Sequence, residues 1–227
     1  MKLKKIGKPK GSDKIKLYNC DNMDLMKQVP DQWFDLAIVD PPYGINVMKM
    51  KMGGRKNVKH DEDNIGWDDA IPDQAYFDEL FRVSREQIIW GGNYFPNLWV
   101  NGCRCFAVWD KEIRGMDFAD CELAWTSFDQ SARCYTRRFI ETIKKKKRAV
   151  DEKRFHPTAK PMELYEWLLK QFAEPSFKVL DTHLGSGSIA VACHHFKCEL
   201  TACEINKEYF KKAVKNFKSA SPQTRWF

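Results

Sequence analysis

Short apolar runs alternate with amphipathic stretches along most of the chain, and that alternation predicts its elements. Residues 14–20 (KIKLYNC) and 35–39 (DLAIV) read as short buried strands, with a helical stretch over 23–28 between them. Asp40-Pro41-Pro42-Tyr43-Gly44 then makes a rigid turn that continues neither strand nor helix. Residues 45–72 are polar, show no clear period and read as an insertion. Over 73–84, Tyr76, Phe77, Leu80 and Phe81 form one apolar stripe, the mark of an amphipathic helix. A strand over 87–90, a short helix over 94–98 and a strand over 105–109 follow, and segments 122–128 and 132–139 resemble an antiparallel pair. Residues 161–172 read as a helix opened by Pro161 and ended before Pro175. A buried strand over 177–180 leads into a glycine-rich turn, a helix to about Phe196, a strand over 199–203 and a helix over 207–217.

Strands alternating with helices predict an α/β fold: an open, mostly parallel twisted sheet with helices on both faces and an antiparallel edge hairpin from 122–139. The 227 residues fit a single domain over 1–227, and no internal repeat is visible. With 43% hydrophobic and 30% charged residues the chain can build a sizeable core. No apolar stretch reaches the roughly 18 residues a membrane span needs. Lys2, Lys4 and Lys5 are not followed by an apolar segment, so no secretory signal is expected. The eight cysteines are therefore expected as reduced thiols of a cytoplasmic protein.

Charge sharpens the picture. Between Asp129 and Lys160 stand eleven basic and four acidic residues, a local excess equal to the net charge of +7 of the whole chain. Such localisation suits a polyphosphate partner, although a solvated loop would look the same. A second basic stretch, residues 49–60 (KMKMGGRKNVKH), carries Arg55, Lys56 and Lys59 around a Gly-Gly pair, and residues 2–10 read as a frayed tail.

In an open α/β sheet, ligands bind beyond the carboxyl ends of the strands. Four chemistry-bearing segments fall there: Cys20-Asp21-Asn22, Asp40 to Tyr43, Asp181 to Gly187, and Glu204. In Asp181-Thr182-His183-Leu184-Gly185-Ser186-Gly187-Ser188-Ile189-Ala190 a predicted strand runs into Gly-x-Gly-x-x-Ala and then a helix. Glycines there admit a ligand to the backbone, and Glu204, 19 residues after Gly185, is placed to accept two ribose hydroxyls. A nucleoside-containing cofactor follows. A dinucleotide oxidoreductase would need a second nucleotide half, and only 23 residues remain after Glu204, so the sheet must be completed by N-terminal strands. In Asp40-Pro41-Pro42-Tyr43 the prolines present bare carbonyl acceptors, Asp40 adds a carboxylate and Tyr43 a flat ring. That set suits the exocyclic amine of a planar base stacked on Tyr43.

These residues resemble the S-adenosylmethionine-dependent DNA amino methyltransferases, in the permuted group whose Asp-Pro-Pro-Tyr motif precedes the cofactor motif. The resemblance runs through Asp21, Asp40 to Tyr43, Trp90-Gly91-Gly92-Asn93-Tyr94, Val108-Trp109-Asp110-Lys111 and Glu122-Leu123-Ala124-Trp125. It continues through His156-Pro157-Thr158-Ala159-Lys160-Pro161, Asp181 to Ser188, and Glu204-Ile205-Asn206. It implies the class I methyltransferase fold, with S-adenosylmethionine as cofactor and Asp40, Pro41, Pro42 and Tyr43 as the catalytic set. It also implies that Asp181, Gly185 and Gly187 hold the methionine end of the cofactor, Glu204 its ribose, and Asp21 lies near its adenine. Thr158 and Lys160 are implied as further cofactor contacts. Two departures stand out. Thr182-His183 replaces the usual Pro-Phe, which removes an aromatic contact, and no separate target-recognition domain is visible. Target contacts are therefore assigned to insertion 45–72 and segment 129–155, with Arg55, Lys56, Lys59, Lys144, Lys145, Lys146, Lys147 and Arg148 as candidates for double-stranded DNA.

The expected reaction is direct methyl transfer to the N6 amine of adenine after base flipping, in a restriction-modification setting; a homodimer is left open. Adenine is favoured over cytosine because Asp at the motif's first position is commoner among the family's adenine enzymes. N4-cytosine or RNA methylation, and an inactive nucleic-acid-binding relative, stay as alternatives. No metal is expected: Cys193, His194, His195, Cys198 and Cys203 lack a ligand knuckle and straddle a helix, a loop and a strand.

Overall fold

The computed structural model describes residues 8–45, 69–115, 119–137 and 160–221. Much of insertion 45–72 and of segment 129–155, and with them Arg55, Lys56, Lys59, Lys144 to Lys147, Arg148 and Thr158, lies outside the described residues.

A nine-stranded sheet runs through the molecule in the order β1-β2-β9-β8-β3-β4-β6-β5-β7. Its strands are β1 (Lys10–Gly11), β2 (Ile15–Tyr18), β3 (Phe34–Val39), β4 (Ser84–Trp90), β5 (Phe106–Asp110), β6 (Cys121–Thr126), β7 (Arg133–Thr136), β8 (Lys178–Asp181) and β9 (Glu199–Cys203). The run β2-β9-β8-β3-β4 is parallel throughout. The two last strands in sequence thus fill the gap between the first long ones, as expected if the N-terminal strands complete the sheet of a C-terminal cofactor half.

Each central strand is buried on both faces, so alternate residues feed two cores. Leu36 and Ile38 of β3 join Ile88, Trp90 and Val179 on one face, against α3 (Met162–Phe172), α4 (Ser188–Phe196) and α5 (Lys207–Ala220). Ala37 and Val39 face the other way with Ile89 and Leu180, under α1 (Asn22–Met26) and α2 (Gln74–Val83). In α2 the stripe of Tyr76, Phe77 and Leu80 is buried as expected, with Val83 completing it. Phe81 stands half out of this core and meets Trp125 edge-on, ring centroids 6.0 Å apart. Helix α3 has Pro161 at its N-cap, and Arg137 grips its first turn through Glu163 at 2.6 and 2.8 Å. No helix among the described residues is long and apolar enough to cross a membrane.

Three expectations change. Segments 122–128 and 132–139 do not pair: β5 lies between β6 and β7, antiparallel to the first and parallel to the second. The antiparallel edge exists, but β5 and β6 build it; proximity in sequence suggested the wrong partner because β6 pairs on both sides. The stretch 94–98 is not α-helical. It forms two 3₁₀ turns, Gly92–Tyr94 and Pro96–Trp99, drawn together by Trp99 Nε1 donating to the Gly92 carbonyl at 2.7 Å. Pro96, with no amide hydrogen to give, stops an α-helix from running through. Finally, Lys10 is not tail but part of β1, paired antiparallel to β2.

Helix α1 has five residues and needs outside support. Arg82 of α2 supplies it, donating to the carbonyls of Met26 and Val29 at 2.9 Å each while pairing with Asp31 at 2.6 Å and Glu79 at 2.8 Å. Arg82→Ala is expected to cost about 1–3 kcal/mol, read as a lower urea midpoint with unchanged slope.

Candidate active site

The carboxyl ends of β2, β9, β8, β3 and β4 line one edge of the sheet, and all four predicted segments meet there. Asp40 follows β3 at the centre. Tyr43, three residues on, donates its hydroxyl to Asp40 Oδ1 at 2.6 Å. Its ring lies nearly parallel to that of Tyr94, centroids 5.1 Å apart and planes at 14°, and meets Phe95 edge-on. The expected single platform is therefore an aromatic pair, and Tyr94 is its exposed member. Gly91, at the end of β4, makes room for it. Its φ is +70°, and a Cβ there would lie 2.2 Å from Tyr43 Cε1.

Lys160 was expected on the cofactor; here its ammonium sits on the carboxylate of the Asp-Pro-Pro-Tyr turn. Nζ lies 2.5 Å from Asp40 Oδ1, 3.2 Å from Glu122 Oε2 and 3.1 Å from the Tyr43 hydroxyl, with a side chain only 2% exposed. It also hangs over the Trp90 ring, 5.0 Å from the centroid. Burial alone would lower its pKa, but the carboxylates of Asp40 and Glu122 outweigh that and hold it raised, so the lysine stays charged. Glu122 in turn takes Lys111 Nζ at 2.7 Å. Burial works to raise the Glu122 pKa, while Lys160 and Lys111 bring it below the ordinary range.

On the other side of Asp40, β8 ends in Asp181, whose Oδ1 accepts the His183 amide at 2.9 Å. Burial pushes Asp181 up to about 8, and no described cation pairs with it. Gly185, at φ +50°, gives its amide to Glu204 Oε2 at 2.9 Å, and a Cβ on it would meet nothing nearer than the His183 carbonyl at 3.7 Å. Glu204 Oε1 accepts the Asn206 amide at 2.9 Å. Gly187 is packed closely against a neighbouring helix. Its φ is +75°, and a Cβ there would come within 3.0 Å of Ala213 on α5. Asp21 caps α1, its Oδ1 accepting the Met23 amide at 2.8 Å.

Thr182 and His183 form a polar chain that the sequence did not foretell. Asn22 Nδ2 lies 3.3 Å from His183 Nε2, His183 Nδ1 2.9 Å from Thr182 Oγ1, and Thr182 Oγ1 2.8 Å from the Tyr76 hydroxyl. Burial drops the His183 pKa to about 4, so the ring is neutral. With Asn22 donating to Nε2, the proton sits on Nδ1 and points at Thr182.

The fold and this edge define an α/β protein of the class I methyltransferase architecture. Residues 90–215 match the profile of the DNA methylase family that groups N6 and N4 enzymes, and the chain belongs to that family. A 64-residue stretch is 36% identical to the type II methyltransferase M.HpaI of Haemophilus parainfluenzae, covering 28% of this chain and 20% of that relative's length. Among solved structures, the fold resembles M1.HpyAVI in complex with SAM (TM-score 0.57, 19% identity, 88% of this chain and 98% of that one). It also resembles the cytosine-N4-specific PvuII DNA methyltransferase (TM-score 0.60, 10% identity, 96% and 95%).

Gly91 supports the position of Tyr43, and so of Asp40 Oδ1. Gly91→Ala is expected to lower stability by about 1–3 kcal/mol through the positive φ and the clash. It should also swing the Tyr43 ring away from Asp40, seen as a break of the 2.6 Å contact in a crystal structure of the variant.

Proposed function

We propose that the protein methylates the exocyclic N6 amine of adenine in double-stranded DNA, with S-adenosylmethionine as donor. The observation that carries this reading is the meeting, at one sheet edge, of an acceptor carboxylate beside an aromatic pair with a strand-turn-helix bearing Asp181, Gly185 and Glu204. Family membership supplies the reaction class.

The residues fit the cofactor. Asp181 is a buried carboxylate without a described cationic partner, suited to a ligand that brings its own ammonium. The Glu204 carboxylate is oriented by the amides of Gly185, Asn206 and Ile205, and as an acceptor-only group it suits ribose hydroxyls. Gly185 keeps open space beside the turn. When bound, S-adenosylmethionine supplies an electrophilic methyl on a sulfonium.

The protein's own part is positioning. A flipped base stacks against the Tyr43–Tyr94 pair, and its amine donates to Asp40 and to the Pro41 carbonyl. Hydrogen bonds drawn out of the base plane localise the nitrogen lone pair along the line of attack. Much of the rate then comes from holding nitrogen and carbon about 3–3.5 Å apart. The amine proton becomes acidic only as the nitrogen turns cationic and leaves by way of the Asp40 carboxylate. Arg55, Lys56, Lys59 and Lys144 to Arg148 are the proposed phosphate contacts on grounds of charge. Arg137 and Lys160, both counted in the basic segment, are spent on Glu163, Asp40 and Glu122 and are not among them.

The test incubates the protein with S-adenosylmethionine and unmethylated duplex DNA, then reads digested nucleosides by mass spectrometry. N6-methyladenine that disappears in Asp40→Ala is the expected result. N4-methylcytosine would keep the mechanism and change the base, and cofactor binding without any methylated nucleoside would favour an inactive relative.

Cofactor binding should also report Asp181. With a free-state pKa of about 8, the group is protonated near neutrality and must ionise to meet an ammonium. Binding then releases a proton, so affinity rises with pH from about 6 to 7.5, by up to tenfold per unit. Calorimetry in buffers of different ionisation enthalpy measures the released proton, and Asp181→Asn is expected to abolish both the release and the slope.

A further inference from the structure

Lys111 and Glu122 have no part in the reaction just described, yet the sheet brings them to the same edge. Strand β6 runs antiparallel to β4, with Trp90 opposite Ala124, so Glu122 lies beyond the end of β4. Strand β5 runs antiparallel to β6, with Trp109 opposite Glu122, and Lys111 follows directly after it. Four side chains then alternate in charge across the edge: Lys111, Glu122, Lys160 and Asp40, with contacts of 2.7, 3.2 and 2.5 Å.

This row has a consequence for Asp40. Its Oδ1 receives both the Lys160 ammonium and the Tyr43 hydroxyl, and Oδ2 has no partner among the described residues. All three ammonium hydrogens of Lys160 have acceptors, in Asp40, Glu122 and Tyr43. With only Asp40 and Tyr43 to bond, the ammonium would be free to turn about them and to drag Oδ1 with it. Glu122 supplies the third point, and Lys111 fixes Glu122.

We propose that Glu122, anchored by Lys111, is a positioning residue for methyl transfer. It holds the Lys160 ammonium in place, so that Asp40 keeps Oδ1 engaged and Oδ2 available to the substrate amine. The inference rests on the reading of Asp40 as the amine acceptor. Of the other titratable groups at this edge, Asp181 at the end of β8 feels the Lys160 charge and Tyr165 of α3 faces Asp40 and Glu122, and neither contacts the ammonium in place of Glu122.

The test compares wild type, Glu122→Gln and Glu122→Gln/Lys111→Met, with Asp40→Ala as the inactive reference. In Glu122→Gln, kcat is expected to fall about tenfold or more, the scale of a misplacement approaching 1 Å, while the Kd for S-adenosylmethionine stays within about twofold. An NMR titration of the Lys160 Nζ resonance, which needs no activity, is expected to show a lower pKa in the variant. The double variant restores charge balance without restoring the third contact, so its kcat should stay low. It also carries the test if the single variant does not fold. Wild-type kcat in either variant, or an unmoved Lys160 titration, overturns the proposal while leaving the methylation reading intact. A wild-type protein that methylates no nucleoside removes both.

Discussion

The ammonium of Lys160, almost fully shielded from water, lies 2.5 Å from the carboxylate of Asp40, and this pair governs how this end of the sheet is built. A buried lysine needs compensation from every side, because an ammonium out of water is costly unless paired and fully hydrogen-bonded. Asp40, Glu122 and Tyr43 supply that compensation from two strands that are far apart in sequence but separated in the sheet only by β4. Once the pair is in place, it fixes the Tyr43 hydroxyl, and through Tyr43 the stacked ring of Tyr94. Gly91 must then be glycine, since the ring occupies the space its side chain would need. A chemical demand at one atom thus propagates into a steric demand at a backbone position on a neighbouring strand.

The order of the strands makes this convergence possible. Strands β8 and β9 slot between β2 and β3, so the acids at the ends of β8 and β9 stand beside those that follow β2 and β3. Asp21, Glu204, Asp181 and Asp40 then succeed one another across four adjacent strand ends. Four carboxylates along one edge would repel in the absence of cations. Lys160 answers Asp40 directly. Asp181 answers burial by retaining its proton up to about pH 8, and Asp21 and Glu204 lean on backbone amides. A cationic ligand would complete this balance, which is why the edge reads as a receptor and not merely as a cluster of acids.

Much of this was legible in the chain. Short continuous apolar runs ending in Asp, Glu or Gly marked the strands and their chemically loaded ends, because burial on both faces leaves mostly apolar residues until the sheet stops. Asp40, Tyr43, Asp181, Gly185 and Glu204 do meet. What the chain could not declare was pairing across distance. Segments 122–128 and 132–139 looked like partners because they are neighbours in sequence, and nearness in sequence does not say which strand lies next door in the sheet. The contact of Lys160 was hidden for the same reason: its neighbours in sequence point to the cofactor, whereas its neighbour in space is Asp40, a strand-end carboxylate more than a hundred residues earlier. Glu122 and Lys111 carried a faint signal, as charges placed where two predicted strands end, but only the antiparallel register of β5 and β6 turns them into a pair.

The exchange of Pro-Phe for Thr182-His183 is the local rule most visibly broken, and its repair is complete within the protein. A hydroxyl and an imidazole introduced at a buried strand end must find partners or cost about 1–3 kcal/mol apiece. Tyr76 from α2 and Asn22 from α1 provide them, so the substitution at β8 is tied to two helices on the same face. The imidazole stays neutral because protonation would place a charge where burial holds the pKa near 4. It therefore does not serve as the counter-ion that Asp181 lacks. What it gives up in aromatic area it returns as rigidity: Thr182 and His183 are bound on both sides and hold the start of the glycine turn in place, with Leu184 pinned to the Cys203 carbonyl at 3.0 Å. A turn held this way keeps Gly185 against Glu204 without a ligand to organise it, and a preorganised pocket spends less of its binding free energy on ordering itself.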